Sequence, residues 1–329
     1  MTEDPRYVVA VDAGGTSTRS VVVDPAGRCL GYARAGSGNP TAVGPEAAVA
    51  SVAESVGEAR RRADVPDAQI RQVVLAMAGA GSTSVASEIR HSLAGIGLDA
   101  PVVLESDLLA TYCSGTPRPD GYAVIAGTGA GAIRVEGGRQ VAVADGLGWL
   151  LGDEGSGFWI GRRVVRAVLA DLDGRGPATA LTPLLLGRLA VPAPAEAGDR
   201  APILAVVRAL YASPPVRLAD HARLVFEVHE DGSAERILND AAVALARSLA
   251  AVRTPAFSGP LVLGGGILGH SPRLADRLAV ASGAQEVHAV ADGVVGVSVL
   301  ALRHAGTDVD TAVFQQLTTS LAELRGSHG

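Results

Sequence analysis

The chain of 329 residues contains no lysine, and all 28 of its basic side chains are arginines. A Walker-type phosphate loop requires a lysine after its glycines, so the sequence excludes an ordinary P-loop enzyme. Chemistry through a lysine Schiff base is excluded for the same reason. Aromatic residues make up only 3% of the chain, too few to predict stacking platforms for single-stranded nucleic acid.

Positive charge and cysteine are also scarce. The 28 arginines face 34 acidic residues, for a net charge of −6, and this balance predicts no nucleic-acid partner. Cys29 and Cys113 lie far apart and match no metal-binding or redox spacing, so we expect both to be buried small residues.

Long hydrophobic runs are absent. No uninterrupted apolar stretch reaches the ~18 residues that a membrane-spanning helix needs. Glu3 and Asp4 stand where a secretory signal would carry basic residues. The sequence therefore predicts a cytoplasmic protein without a signal peptide or a membrane partner.

What the sequence does contain is a repeated pattern of strands and glycine turns. Its length and its 48% content of hydrophobic residues predict a folded protein of two domains. Three short β-branched runs, at 7–11, 19–23 and 28–34, predict a β-meander with a glycine turn after its first strand. The pattern returns at 122–125, 132–136 and 139–143, and we interpret it as an internal duplication.

Helical spacing of apolar residues follows each meander. We expect an N-terminal domain over 1–116 and a C-terminal domain over 117–329. The stretch 174–253 is rich in Ala, Leu and Pro without clear strand patterns, which predicts a helical insertion. A final apolar helix is expected over 292–303, where it would pack back on the N-terminal domain.

The two glycine turns are candidate anion sites. Gly14, Gly15 and Thr16 form the first turn, and Gly127, Thr128 and Gly129 form the second. Exposed backbone N–H groups in such turns bind phosphate without lysine, although either turn alone is also an ordinary hairpin connection. Asp12, at the end of the first strand, can hold Mg²⁺ or its waters, or can cap the turn.

Three further places carry candidate chemistry. Asp107 follows a predicted strand, the usual position of a catalytic carboxylate, and is equally suited to capping a helix. Asp153 and Glu154 lie among small residues, which favours a buried functional role for these carboxylates over a solvent-exposed surface position. Gly264, Gly265 and Gly266 allow close approach of another molecule, such as the adenosine of a nucleotide, or form a simple strand-to-helix turn.

Taken in order, these segments resemble a known family. The segments are DAGGT at 12–16, ESD at 105–107, GTG at 127–129, LGDEGSGFWIG at 151–161 and LGGG at 263–266. Together they resemble the eukaryotic-type N-acetylglucosamine kinases of the BadF/BadG/BcrA/BcrD ATPase group. The resemblance implies an α/β, two-lobed actin-like (ribonuclease H-like) ATPase fold with a duplicated β-meander and a helical insertion in the C-terminal lobe.

The resemblance also implies roles for the candidate residues. The turns at 14–16 and 127–129 would bind the phosphates of ATP, 264–266 would face its adenosine, and Asp12 would hold Mg²⁺ through water. Asp107 would be the general base, and the sugar would be bound by Asn39, Asp107, Thr128, Gly129 and Asp153. The turn at 79–81 would wall the pocket.

The implied activity is ATP-dependent phosphorylation of an amino sugar, with N-acetylglucosamine 6-phosphate as product. Ala130 and Gly131 replace a serine–asparagine pair that these kinases carry, so glucosamine, another hexosamine, a muramyl sugar and glucose stay open as acceptors. An ATPase activator with an iron–sulfur cluster and a non-catalytic sugar sensor are the alternative functions. Homodimerisation is what the family suggests.

Overall fold

The structure is a computed structural model, and it describes residues 7–77, 83–196, 198–255 and 258–326. It divides into two compact units, called unit 1 and unit 2 below. Unit 1 contains the described residues up to Gly121, together with Val135–Gln140 and those from Asp292 onward. Unit 2 contains Tyr122–Arg134 and the described residues of Val141–Ala291.

A five-stranded sheet in the order β3-β2-β1-β4-β5 organises unit 1. Strands β1 to β3 form an antiparallel meander, and β4 and β5 extend it in parallel from β1. Its strands are β1 (Tyr7–Ala13), β2 (Thr18–Val23), β3 (Cys29–Ala35), β4 (Ile70–Met77) and β5 (Val102–Ser106).

The central strand of this sheet is apolar because it is covered on both faces. Residues Val8 to Val11 of β1 are all buried, as expected for a strand with parallel and antiparallel neighbours inside a layered fold. The helices of unit 1 are α1 (Pro40–Val43), α2 (Pro45–Ala63), α3 (Thr83–Gly95), α4 (Asp107–Gly115), α12 (Val294–His304) and α13 (Thr311–Gly326).

The sheet of unit 2 repeats the same order, β10-β9-β6-β7-β8. Its strands are β6 (Gly121–Ala126), β7 (Ala130–Glu136), β8 (Arg139–Asp145), β9 (Leu261–Gly264) and β10 (Val287–Ala289). As β4 pairs with β1, β9 pairs in parallel with β6. The duplicated meander predicted from the sequence is confirmed.

Helices account for most of the remaining mass of unit 2. They are α5 (Gly157–Leu172), α6 (Leu181–Arg188), α7 (Ala201–Tyr211), α8 (Leu224–Glu227), α9 (Gly232–Val252), α10 (Gly265–Leu268) and α11 (Pro272–Ser282). One apolar core joins these helices to the sheet, with Val164, Leu185, Leu245 and Leu263 among its buried members. The described residues of the 174–253 stretch form helices and no strand, as predicted.

Several elements were not predicted from the sequence. Strand β10 is only three residues long, too short to show a periodic pattern, and α11 and α13 lie where no helix was predicted. The final apolar helix begins at Val294 and not at Asp292, and β7 begins at Ala130, two residues before its predicted start. No helix among the described residues is long and apolar enough to cross a bilayer.

Helices α4 and α12 of unit 1 pack with their backbones in contact at Gly296. A Cβ at this position would overlap the carbonyl oxygen of Ala110 and lie 2.6 Å from the backbone nitrogen of Ser114. The close approach is fixed by a hydrogen bond of 2.8 Å from the Gly296 N–H to the Ser114 Oγ. Only glycine fits at this crossing.

We expect Gly296→Ala to lower the free energy of unfolding by ~1–3 kcal/mol or more, since the added methyl group forces two helix backbones apart. Gly57→Ala is the matched control, because Gly57 also lies within a helix of unit 1 and its Cβ would meet only Ile96, at 3.5 Å. That substitution should raise stability by ~0.5–1 kcal/mol. Chemical denaturation of both variants checks the pair, and equal effects would contradict the packing described.

Candidate active site

The first glycine turn of unit 1 connects β1 to β2 and is held by its own backbone. The Gly14 N–H donates to the Ser17 carbonyl at 3.0 Å, and the Gly14 carbonyl accepts from the Gly38 N–H at 3.2 Å. Gly15 and Thr16 are exposed, and within the described residues their N–H groups have no protein acceptor. These two groups are therefore free to bind an anion.

Asn39 lies beside this turn. Because Gly38 donates to Gly14, the segment that carries Asn39 is tied directly to the first glycine turn. The Asn39 N–H donates to the Ser37 Oγ at 3.3 Å, and its side chain is half-buried. The predicted sugar-binding amide and the predicted phosphate turn are thus neighbours in unit 1.

A network of two carboxylates and two arginines lies at the end of β1. The Asp12 Oδ2 accepts from the Gly293 N–H at 3.1 Å and from the Arg19 Nη1 at 3.4 Å. On its other side the Arg19 Nε lies 3.7 Å from the Asp292 carboxylate. The Arg325 Nη2 lies 3.0 and 2.9 Å from the two oxygens of Asp292, so the network ends on α13.

Burial dominates the electrostatics of Asp12, which is only 9% exposed. Burial and, next, the negative charge of Asp292 raise the pKa of Asp12 from 3.8 to about 6. Arg19 and the Gly293 N–H act in the opposite direction, and Asp107 adds a smaller upward contribution. The Asp12 carboxylate is thus held in a place where a further positive charge would stabilise it.

Asp107 lies where β5 ends and α4 begins. Its Oδ1 accepts from the Leu108 N–H at 2.9 Å, in the first turn of the helix, and burial raises its pKa above the ordinary value. The N-cap position itself is Ser106, whose side chain forms no capping bond. Asp107 therefore presents a carboxyl group of raised basicity at the carboxyl end of a parallel strand, the position predicted for it.

The second glycine turn, in unit 2, is fixed by the first residues of α5. The Gly127 carbonyl accepts from the Gly157 N–H at 2.7 Å, and the Thr128 carbonyl accepts from the Phe158 N–H at 3.2 Å. The side chain of Thr128 is exposed. The turn is thus rigidly held while its hydroxyl group remains accessible.

The third glycine cluster packs on this second turn. Gly265 has a φ of +85°, and a Cβ there would lie 2.7 Å from the carbonyl carbon of Ala126 and 2.9 Å from the Gly127 nitrogen. A Cβ built on Gly127 would lie 3.7 Å from the backbone nitrogen of Gly266. Unit 2 therefore brings together two of the predicted glycine segments, 127–129 and 264–266.

Asp153 completes the group in unit 2. Its backbone has a φ of 55°, and its N–H donates to the Asp145 Oδ1 at 2.7 Å, which fixes this unusual conformation. The carboxylate accepts from the Ala130 N–H, and an ideal Cβ on Gly129 would lie 2.8 Å from its Oδ2. Burial is the largest cause that raises the pKa of Asp153.

The predicted residues therefore form two groups, one in each unit. Unit 1 holds Asp12, Gly14, Gly15, Thr16, Asn39 and Asp107, and unit 2 holds Gly127, Thr128, Gly129, Asp153, Gly264, Gly265 and Gly266. The predicted turn at 79–81 lies outside the described residues.

Sequence reasoning missed Arg19, Asp292 and Arg325. Asp292 does precede a glycine at the start of an apolar helix, much as Asp107 is the first residue of α4, and this was the available signal. Its arginine partners are distant in sequence and carry no motif of their own.

The residues around Asp12 suit a magnesium ion bound through water. Across the described parts of the chain, no group of three or more His, Cys, Asp and Glu side chains could hold a metal ion directly. Mg²⁺ commonly keeps several waters and uses one or two carboxylates together with substrate phosphates. The buried carboxylate of Asp12 and the half-buried carboxylate of Asp292 match that donor set.

The fold and this arrangement of glycine turns and carboxylates define an actin-like α/β protein. The model of the BadF/BadG/BcrA/BcrD ATPase family matches residues 9–301, and the chain belongs to that family. A solved structure, a proposed N-acetylglucosamine kinase from Chromobacterium violaceum, has the same fold with a TM-score of 0.69 and 24% identity, over 90% of this chain and 99% of that one.

Two curated relatives are similar in sequence over part of their length. Glucosamine kinase GspK of Vibrio cholerae is 30% identical over 182 residues, 55% of this chain and 60% of that protein. The N-acetyl-D-glucosamine kinase of Dictyostelium discoideum is 30% identical over 190 residues, with the same two shares. The matched segment thus spans about three fifths of the length of each relative.

The raised pKa of Asp12 predicts a pH-dependent contribution to stability. Between pH 3.8 and about 6 the folded state binds more protons at Asp12 than the unfolded state, so the free energy of unfolding falls as the pH rises. Asp12→Asn removes this contribution. The stability of the variant relative to the wild-type protein should therefore rise by about 1–3 kcal/mol across that window and stay level above it.

Urea denaturation at a series of pH values, without nucleotide or magnesium, measures this difference. Asp308→Asn, which changes an exposed carboxylate of unit 1, should show no such slope. A difference between Asp12→Asn and wild type that stays constant with pH would show that Asp12 does not titrate as described.

Proposed function

We propose that the protein transfers the γ-phosphoryl group of ATP to a hydroxyl group of an amino sugar, with N-acetylglucosamine as acceptor and its 6-hydroxyl as the attacking group. The observation that carries this proposal is Asp107, a carboxyl of raised pKa at the end of β5 in the same unit as the Asp12 network. The names of the two curated relatives support the reaction class and the kind of sugar.

The phosphates of ATP are assigned to the two glycine turns. The exposed N–H groups of Gly15 and Thr16 supply donors in unit 1, and the turn at 127–129 supplies them in unit 2. The cluster 264–266 leaves room for the adenosine because it carries no side chains. These turns contain no arginine or lysine, so they would bind phosphate through the dipoles of their backbone N–H groups.

The sugar is assigned to Asn39, Asp107, Thr128, Gly129 and Asp153. Asp107 takes the proton of the attacking hydroxyl, for which a raised pKa is favourable because it brings the base closer to the working pH. Asn39 and Asp153 hydrogen-bond other hydroxyl groups and hold the acceptor in line with the phosphoryl group.

Magnesium is assigned to water-mediated contact with Asp12. When bound, Mg²⁺ neutralises charge on the phosphates during transfer. Burial and Asp292 raise the pKa of Asp12 to about 6, while the Arg19 guanidinium and the Gly293 N–H act in the opposite direction and favour the charged form that would hold the ion.

The cysteines argue against the alternative of an ATPase activator with an iron–sulfur cluster. Burial raises the pKa of both Cys29 and Cys113 to about 11. The Cys29 N–H donates to the Ser320 Oγ at 3.0 Å, and the Cys113 thiol contacts Arg303. Such protonated, packed thiols are poor cluster ligands.

We expect Asp107→Asn to lower kcat by ~10²- to 10⁴-fold while the protein stays folded, since the amide cannot accept the proton of the sugar hydroxyl. The affinity for ATP should be nearly unchanged. Asp99→Asn is the matched control, because Asp99 is an exposed carboxylate in the same unit, and it should keep full activity. ADP release measures both variants, and an Asp107→Asn enzyme of near-normal kcat would refute the assignment.

The acceptor itself is decided by comparing kcat/KM for N-acetylglucosamine, glucosamine, N-acetylmannosamine, N-acetylmuramic acid and glucose. Ala130 and Gly131 offer no side-chain hydrogen bonds beside Gly129, so we expect the preference for N-acetylglucosamine over glucosamine to be modest, within about tenfold. Absence of turnover on every sugar, with ATP still bound, would favour a sensor.

A further inference from the structure

A surface cavity of about 490 Å³ lies in unit 2, outside the residues assigned above. It is lined by the loop 149–152, by one face of α5 and by the first turns of α9. The side chains that matter to its chemistry are Trp149, Glu154, Trp159, Arg162, Arg166 and Arg236. Asp153 does not line it, although both of its sequence neighbours do.

Four arginines line this cavity, and one of them is already neutralised. The Arg163 Nη1 lies 3.0 Å from the Asp240 carboxylate, and its guanidinium stacks on the Trp159 ring at 3.7 Å from the ring centre. The other three, Arg162, Arg166 and Arg236, form no ion pair and no side-chain hydrogen bond within the described residues. Glu154 is the single carboxylate in the lining.

This excess of positive charge lies in a chain whose net charge is −6. Elsewhere in unit 2, Arg273 and Arg277 are both paired with the Glu235 carboxylate. Arg162 and Arg166 are four residues apart on α5, where two like charges destabilise a helix in the absence of a counter-ion. An anion in the cavity would remove that repulsion.

Apolar surface adjoins the arginines. The Trp149 ring packs on Phe158 with centroids 5.3 Å apart, while Leu150 and Leu151 are 74% and 78% exposed. Guanidinium groups bind phosphate through paired N–H donors, and aromatic rings pack against the apolar face of a pyranose. We infer that this cavity binds a phosphorylated sugar, with its phosphate on Arg162, Arg166 and Arg236 and its ring against Trp149.

The cavity is large enough for a hexose phosphate. Its lining also includes the two residues that flank Asp153. Gly152 and Glu154 line the cavity, and Asp153 lies between them with its carboxylate against Gly129. The occupant would therefore contact the chain on both sides of a residue assigned to the sugar. Binding in the cavity itself requires no phosphoryl transfer.

Isothermal titration calorimetry with glucose 6-phosphate, inorganic phosphate and glucose tests the inference on the whole chain. Because a sugar phosphate also resembles the product of the proposed reaction, the decisive measurement is the effect of arginine substitutions. Arg166→Met and Arg236→Met should each weaken the binding of glucose 6-phosphate by about tenfold or more. Arg247→Met, at an exposed position of α9 outside the cavity, should leave it unchanged.

Binding of glucose 6-phosphate that is equal in the wild type and in both cavity variants would overturn the inference, as would no binding at all. Arginine-dependent binding of inorganic phosphate that equals that of glucose 6-phosphate would overturn the assignment to a sugar. Arg162→Met replaces any variant whose thermal unfolding shows loss of the fold. A chain that binds glucose 6-phosphate through these arginines but lacks kinase activity would refute the proposed function and leave this inference standing.

Discussion

Burial of the Asp12 carboxylate beside a second carboxylate, Asp292, is the constraint around which unit 1 is built. Two like charges in a desolvated place are tolerated only because Arg19 lies between them and Arg325 covers Asp292 from the last helix. The backbone N–H of Gly293 completes the arrangement, and a Cβ there would lie 3.0 Å from the Asp12 Oδ1. The ends of β1, α12 and α13 are thereby fixed to one another.

The duplicated sheet carries different chemistry in each copy. In unit 1 the strand before the glycine turn carries a buried acid, Asp12, as its penultimate residue. In unit 2 the equivalent strand ends in Ile125 and Ala126, and its turn is held by backbone bonds to α5. Asp153 supplies the carboxylate of unit 2 from a separate loop. One architecture thus carries its carboxylate on the strand in one copy and on a separate loop in the other.

The fold was predictable from the sequence because each copy of the meander begins with a local pattern, an apolar run followed by a glycine turn. The run Val8 to Val11 before Gly14 and the run Tyr122 to Ile125 before Gly127 carry the same strand-and-turn signal. The positions of Asp107 and Asp153 followed from the same local reasoning. The network that joins Asp12, Arg19, Asp292 and Arg325 did not, since contacts between side chains far apart in sequence, such as Arg19 and Asp292, leave no periodic trace in a single sequence. Helix α13 was missed because its polar and apolar residues show only weak amphipathic spacing.

The distribution of unit 1 along the chain has a consequence for the order of folding. The hydrogen bond from Gly293 to Asp12 spans 281 residues, and the bond from the Gln72 side chain to the Ala301 carbonyl spans 229. Unit 2 is nearly continuous in sequence, so most of its contacts are available before the ribosome has finished the chain. The first sheet of unit 1 lacks the contacts of Asp12 with Gly293 and of Gln72 with Ala301 until α12 is synthesised, which makes completion of unit 1 the late step of vectorial folding.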